Sequence, residues 1–498
     1  MKKSKLLVCL MAALCLAGCG TSWDNYYQLN KDDYTVHFSE VRASTFRKER
    51  SADLPSSGDV KGLVIPVQFR DKTCASLTNY GGCEGIRNDI QATLFGDGSG
   101  TNWESLASFY RKSSYENLRI TGEVSEWYTA SMTAAQFGQG YGSNGGGGAT
   151  LMLDEAIAWY KNNHTEEHMR QFDSNGDGHL DAVWLIYSVE PHWNNYNELF
   201  WAFVYWNQGT TPNVQNPTPF AFMWASYDFL YENAETVDGK LLPDAHTFIH
   251  ETGHLLGLTD YYNYDSSDHN AWGPAGGLDM MDYNIGDHNA YSKSLLEWVE
   301  PLVVTGNANI KLRPFESSGD CVIIAPQGYK GSILDEYLIV EYYTPTGLNE
   351  YDSIHRYAGT YPLMFTEPGI KIYHVDSRIG GYRRASDSYK FGTYVETIDS
   401  RFEYIDIVNE NSPSRSGVPT QKLLQLLESS GENSFINGAR ASNATLFKEG
   451  DTLGYKNGPF EGFTLHKEVS YGVPMELGYR LKVVKISPEE AELRIEKI

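Results

Sequence analysis

The sequence predicts an α+β protein, with a mixed twisted sheet and flanking helices followed by a β-rich C-terminal module. Three observations carry that prediction. Between residues 59 and 303, compact apolar runs of strand type, "KGLVIPVQF" and "DAVWLIYSV", alternate with helically spaced stretches, "WESLASFYRKSS" and "LMLDEAIAWYKNN". From about residue 304 the texture changes to short strands and Gly/Pro-rich turns, as in "EYLIVEYY" and "GIKIYHVD". The chain is also long enough, at 498 residues with 41% hydrophobic, for two or more domains with full cores.

The chain opens with MKKSKLLVCLMAALCLAGCG. Lys2, Lys3 and Lys5 form a basic start, and the apolar run from Leu6 to Leu16 is too short to span a bilayer. Residues 1–18 therefore read as a secretory signal. Its end, Leu16-Ala17-Gly18-Cys19, resembles the bacterial lipoprotein processing box. That resemblance implies cleavage before Cys19, a lipid on its sulfur, and a protein tethered to the cell envelope on the extracytoplasmic side. Residues 19–58 are polar and read as a tether or short prosegment.

Within the first large region, "YENLRITGEVSEWYTA" alternates like an antiparallel strand, and "GSNGGGGAT" is expected to be a loop. Residues 193–231 are crowded with aromatics, a pattern that sheet packing explains better than a ligand-stacking surface. At the far end, "YRLKVVKISPEEAELRIEKI" reads as a closing hairpin.

The net charge of −24 repels nucleic acid, so no nucleic-acid partner is expected. Nothing in the composition calls for more than a monomer. Of six cysteines, Cys9 and Cys15 leave with the signal and Cys19 is the lipidation site. Cys74 and Cys83 flank a short glycine-containing loop, which suits a local disulfide in an exported protein, with Cys321 a buried thiol.

The chemistry concentrates in "HTFIHETGHLLGLTDYYNYD", residues 246–265. His250-Glu251-Thr252-Gly253-His254 is an H-E-x-x-H motif. On a helix, residues four apart share a face, so His250 and His254 can close on one metal, and imidazoles at that spacing suit zinc. Glu251 then stands beside the metal as a general base for its water. The motif continues to Gly257 and Asp260. A glycine there can take positive φ and end the helix sharply, bringing Asp260 back as third ligand. Asp265, His269, Asp282 and His288 compete for that place. His246, one turn earlier, would spread three ligands over two turns, so it is read as packing behind the ligands.

With "GGLDMMDYNIGDHNAYSK" downstream, the extended zinc motif and later methionine turn resemble the metzincin clan. Asp260 in place of a third histidine, and the DHNAYSK segment, resemble the immune inhibitor A (thuringilysin) family of bacterial secreted metallopeptidases. The resemblance runs over roughly residues 60–375 through "VIPVQF", "SFYRKSSYENLRITGEV", "DSNGDGHLDAVWLIY" and "EYLIVEYYTPTGLN". It implies a metzincin-like fold, zinc on His250, His254 and Asp260, Glu251 as base, and protein or peptide substrates. It also implies Met281 as the turn methionine under the metal, with adjacent Met280 as the alternative. Tyr283 is then an oxyanion donor or a core tyrosine.

"DSNGDGHLD", residues 173–181, resembles a calcium loop. Asp173, Asn175 and Asp177 take positions 1, 3 and 5, His179 offers its carbonyl at 7, and Asp181 stands at 9. Position 12 is Trp184, so the bidentate glutamate is missing. Two functions therefore compete. One is a lipid-anchored zinc endopeptidase, whose sheet edge within residues 198–231 aligns an extended substrate. The other is a non-enzymatic surface-binding module with structural zinc and calcium. A zinc hydrolase of non-peptide amides is a third.

Overall fold

The computed structural model describes residues 54–196, 199–263, 273–329, 333, 335–359, 361–377, 422–470 and 472–498, with the backbone of strands at 36–38, 381–384 and 402–406. The leader with Cys19, and Asp265 and His269, lie outside the described residues.

The first sheet takes β1 (Gly58–Gln68), β2 (Leu118–Val124), β3 (Val183–Tyr187), β4 (Phe203–Trp206) and β5 (Ala221–Ser226) in the order β2-β1-β3-β5-β4. The first three pairings are parallel, and β4 lies antiparallel on β5 at the edge. β1, β3 and β5 read as unbroken apolar runs because both their faces are covered. On one side Leu63, Ile65, Leu185 and Trp224 pack on Met152 and Ala156 of helix α3 (Gly145–Asn162). On the other, Val64, Trp184, Ile186 and Met223 meet α2 (Leu106–Ser113) and α4 (His246–Leu255). Between β1 and α2 runs α1 (Gly82–Phe95), tied down by the Cys74–Cys83 disulfide, while Cys321 stays a buried thiol.

Two local expectations fail for physical reasons. β2 alternates, yet it pairs parallel to β1. It has a single neighbour in the main run of the sheet and one partly open face, so alternation here reports exposure and not strand direction. The glycines of "GSNGGGGAT" are the first turn of α3, capped by Asn144, whose side chain accepts the Gly147 amide at 3.1 Å. They are small because neighbours press in: a Cβ on Gly146 would lie 2.3 Å from the Tyr205 ring.

The second sheet joins the strand Val36–Phe38 to β6 (Leu302–Val304), β8 (Cys321–Ile324), β9 (Glu336–Tyr343), β10 (Gly369–Asp376) and β11 (Leu424–Leu426). A third, antiparallel sheet runs β7 (Ala308–Leu312), β16 (Ala491–Lys497), β15 (Tyr479–Ile486), β12 (Thr452–Leu453). A hairpin of β13 (Thr464–Ser470) and β14 (Val473–Glu476) precedes β15. Strand period two divides the second sheet between two partners. Tyr337 and Ile339 of β9 face the cluster that holds α4, whereas Leu338 and Val340 face Ile310, Leu481 and Leu493 of the third sheet. All eight residues of β9 are consequently buried. The change of texture near residue 303 thus marks no gap in the core: Val303, Tyr337 and Tyr373 belong to the same apolar cluster as Ile249.

Candidate active site

Helix α4 carries the H-E-x-x-H motif, with nine of its ten residues buried. Two hydroxyl and indole contacts fix its position. The Tyr110 hydroxyl donates to the Ile249 carbonyl at 2.7 Å, and Trp184 Nε1 donates to Thr252 Oγ1 at 3.0 Å. The helix ends as the glycine predicts. Gly257 has φ +89°, and the Leu258 amide reaches back to the Gly253 carbonyl at 2.9 Å. The chain then returns, and the Tyr261 amide donates to the Met281 carbonyl at 2.8 Å.

That return brings Asp260 onto the histidines. His250 Nε2 lies 3.0 Å and His254 Nε2 3.2 Å from Asp260 Oδ1. One ligand atom from each of the three residues lies within 4.8 Å of the others. Each imidazole is anchored by its other nitrogen. His250 Nδ1 donates to the Met280 carbonyl at 2.7 Å, and His254 Nδ1 to the Leu258 carbonyl at 2.9 Å. A proton fixed on Nδ1 leaves Nε2 as the lone-pair face, the tautomer that a zinc ligand needs. The donor set, two imidazoles and a carboxylate, suits zinc and leaves a fourth position for water or substrate.

Electrostatics point the same way. Burial works against charge on the imidazoles, but Asp260 outweighs it and holds both above the usual histidine range, His254 at about 9. Asp260 itself is buried, but His254 and His250 hold it far below the usual carboxylate range. Asp260 is thus the partner for positive charge in this pocket. Burial pushes the Glu251 carboxyl up, and its Oε2 is buried without a hydrogen-bond partner among the described residues.

The segment expected to hold a methionine turn is α5 (Met280–Tyr283), entered through Asp279, whose side chain accepts the Met281 amide at 2.9 Å. The two methionines divide the work: Met280 supplies the carbonyl to His250, and Met281 lays its sulfur against Gly253. The DHNAYSK segment is structural. Asn289 caps α6 (Ala290–Leu295), and Lys293 Nζ pairs with Asp287 Oδ2 at 2.5 Å in the interior. Two rivals for the third ligand position stand outside the converging group. Asp282 Oδ2 accepts the Gly277 amide at 2.8 Å, and His288 sits among the rings of Phe109, Tyr110 and Trp298. His246 is held between Asp244 and Asp352 and stacks on Trp103, ring centroids 4.4 Å apart, so it serves packing.

The hydroxyl of Tyr283 is engaged by Arg440, whose guanidinium lies over the tyrosine ring at 4.0 Å. The tyrosine that meets the cluster is Tyr262, which the sequence reading missed; its hydroxyl hydrogen-bonds to Asp260. Its position two residues beyond Asp260 was the one available signal.

In the loop 173–181 the acidic side chains serve the loop's own backbone. Asp173 accepts the amides of Asp177 and Gly178, both at 3.0 Å, and Asp177 accepts that of His179 at 2.8 Å. Asp181 accepts the Ser174 amide at 2.8 Å, and burial with Asp173 and Asp177 nearby lifts its carboxyl to about 7. Trp184, at the place of the missing glutamate, is fully buried in the core. This arrangement lends calcium no support.

Residues 61–182 match the family model described as immune inhibitor A peptidase M6, catalytic domain. The matched stretch covers most of β1 and ends just before β3, short of α4. It supports an immune inhibitor A-like family, and with it a peptidase acting on proteins or peptides. No match is found among curated proteins.

Proposed function

We propose that the chain is a metzincin-like zinc endopeptidase in which His250, His254 and Asp260 hold the metal and Glu251 is the general base. One observation carries the reading: the Nε2 atoms of His250 and His254 converge on Asp260 Oδ1, with Glu251 between them on the same buried helix. The M6 peptidase match agrees with it. When bound, zinc lowers the pKa of water and polarises the scissile carbonyl. The residues of this chain do the rest. Glu251 accepts the proton of the attacking water at its carboxylate and delivers it to the departing amine nitrogen. The Met280 and Leu258 carbonyls hold the imidazoles in their ligating tautomer. Strand β4, whose ladder among the described residues is with β5, lies at the edge of the sheet, where an extended peptide would align.

Export and a lipid on Cys19 belong to the same proposal. Mass spectrometry of the membrane fraction tests them, and an unmodified Cys19 in a soluble fraction would overturn them.

The deciding experiment is casein digestion by the protein beside Glu251→Gln, with zinc measured in both. The parent should cut and the variant should not, while both hold zinc. If both hold zinc and both are inert, the peptidase reading fails and the surface-binding alternative leads.

A further inference from the structure

We infer that the chain carries a second divalent-metal site, built from Glu336, His374 and His466, with Asp376 against His466, and suited to zinc. It lies on the face of the second sheet turned away from α4. In antiparallel β9 and β10, Glu336 stands opposite Asp376, and Leu338 opposite His374. These residues share the face that packs on the third sheet through Leu338, Val340 and Ile372. The sandwich core therefore turns polar at one end, with Glu336 and Asp376 fully buried and His374 5% exposed.

The hairpin strand β13 closes this end. The His466 and Lys467 amides both donate to the Glu336 carboxylate, the latter at 2.8 Å. His374 Nε2 lies 2.8 Å from Glu336 Oε1, and His466 Nδ1 lies 3.0 Å from Asp376 Oδ2. The two rings are 4.7 Å apart between centroids. Single ligand atoms of Glu336, His374 and His466 all fall within 4.8 Å of one another.

Charge makes the case for a cation. Two carboxylates face each other directly across an antiparallel pair, an arrangement that destabilises a sheet unless it is compensated. Buried charges require a partner. Lys467, on the same hairpin strand, pairs its ammonium with Asp335 at 2.9 Å. Two imidazoles and a carboxylate that converge in this way are a zinc donor set. The bound ion would staple the 464–476 hairpin onto the sheet. The four residues are spread over 130 positions of chain, so no spacing motif announces them.

The test is zinc stoichiometry of the full chain after equilibrium dialysis. The parent should hold two equivalents. His250→Ala/His254→Ala should keep one, and adding His466→Ala should remove it. In the parent background, His466→Ala should lose one equivalent and keep casein digestion. An unchanged zinc content in His466→Ala, or none in His250→Ala/His254→Ala, overturns the site. Cobalt loading guards against a folding artefact. Folded His250→Ala/His254→Ala protein, verified by circular dichroism, should show the visible d–d bands of a four-coordinate cobalt. Their absence overturns the proposal as well.

Discussion

The sulfur of Met281 rests against the α-carbon of Gly253: a Cβ built there would lie 2.4 Å from Met281 Sδ and 3.1 Å from its Cε. The variable residue just before His254 is thus the floor on which the methionine turn sits. Gly253→Ala overpacks this contact, and such insertions cost about 1–3 kcal/mol. Denaturant unfolding should show that loss. Combining it with Met281→Ala should recover part of it, because the two changes share one contact. Strictly additive losses would refute the packing role.

Tyr262 and Tyr283 should separate. Groups that hydrogen-bond to a metal ligand typically change metal affinity or activity by about 10–100-fold when removed. Tyr262→Phe frees the Asp260 carboxylate from its hydroxyl partner and should weaken zinc binding within that range. Tyr283→Phe breaks only the link to Arg440 and should leave zinc affinity near the parent's. Competition titration against a chelator measures both. Equal effects would return Tyr283 to the site.

Lys293 and Asp287 form an interior ion pair, with side chains 0% and 4% exposed. Ser113 donates to the other Asp287 oxygen at 2.5 Å, and the lysine Nζ lies over the Tyr115 ring at 4.4 Å. Lys293→Met leaves a buried carboxylate uncompensated, which costs about 3–5 kcal/mol. The melting temperature should fall accordingly, and a change under 1 kcal/mol, roughly the worth of an exposed pair, would sink the argument.

His246 sets a pH dependence. Its ring is fully buried, which disfavours its charge, but Asp244 at 2.8 Å and Asp352 at 3.2 Å raise its pKa from 6.5 to about 10. A raised folded-state pKa contributes stability that is complete below pH 6.5 and is lost as pH climbs to about 10. The stability difference between the protein and His246→Gln should therefore shrink across that window. A difference that stays flat would mean the histidine is not charged in the fold.

Some of this was legible in the chain and some was not. His250 and His254 sit four apart, and helical period alone puts them on one face. Gly257 takes positive φ where a helix must stop, and Asp260 follows within reach. These relations span a few residues and obey local geometry, so the sequence determined them. β9 hid its two faces because both are covered: period two persists in the structure but not in a string of apolar letters. The glycines of α3 read as a loop because their size answers to Tyr205, a residue some sixty positions away. Tertiary packing alone decided that Met280 lends a carbonyl to His250 thirty residues back, that Arg440 occupies Tyr283, and that Glu336, His374, Asp376 and His466 meet. Such contacts join segments whose separation along the chain says nothing about their separation in space. They exist only once a sheet buried on both sides has fixed which strands are neighbours.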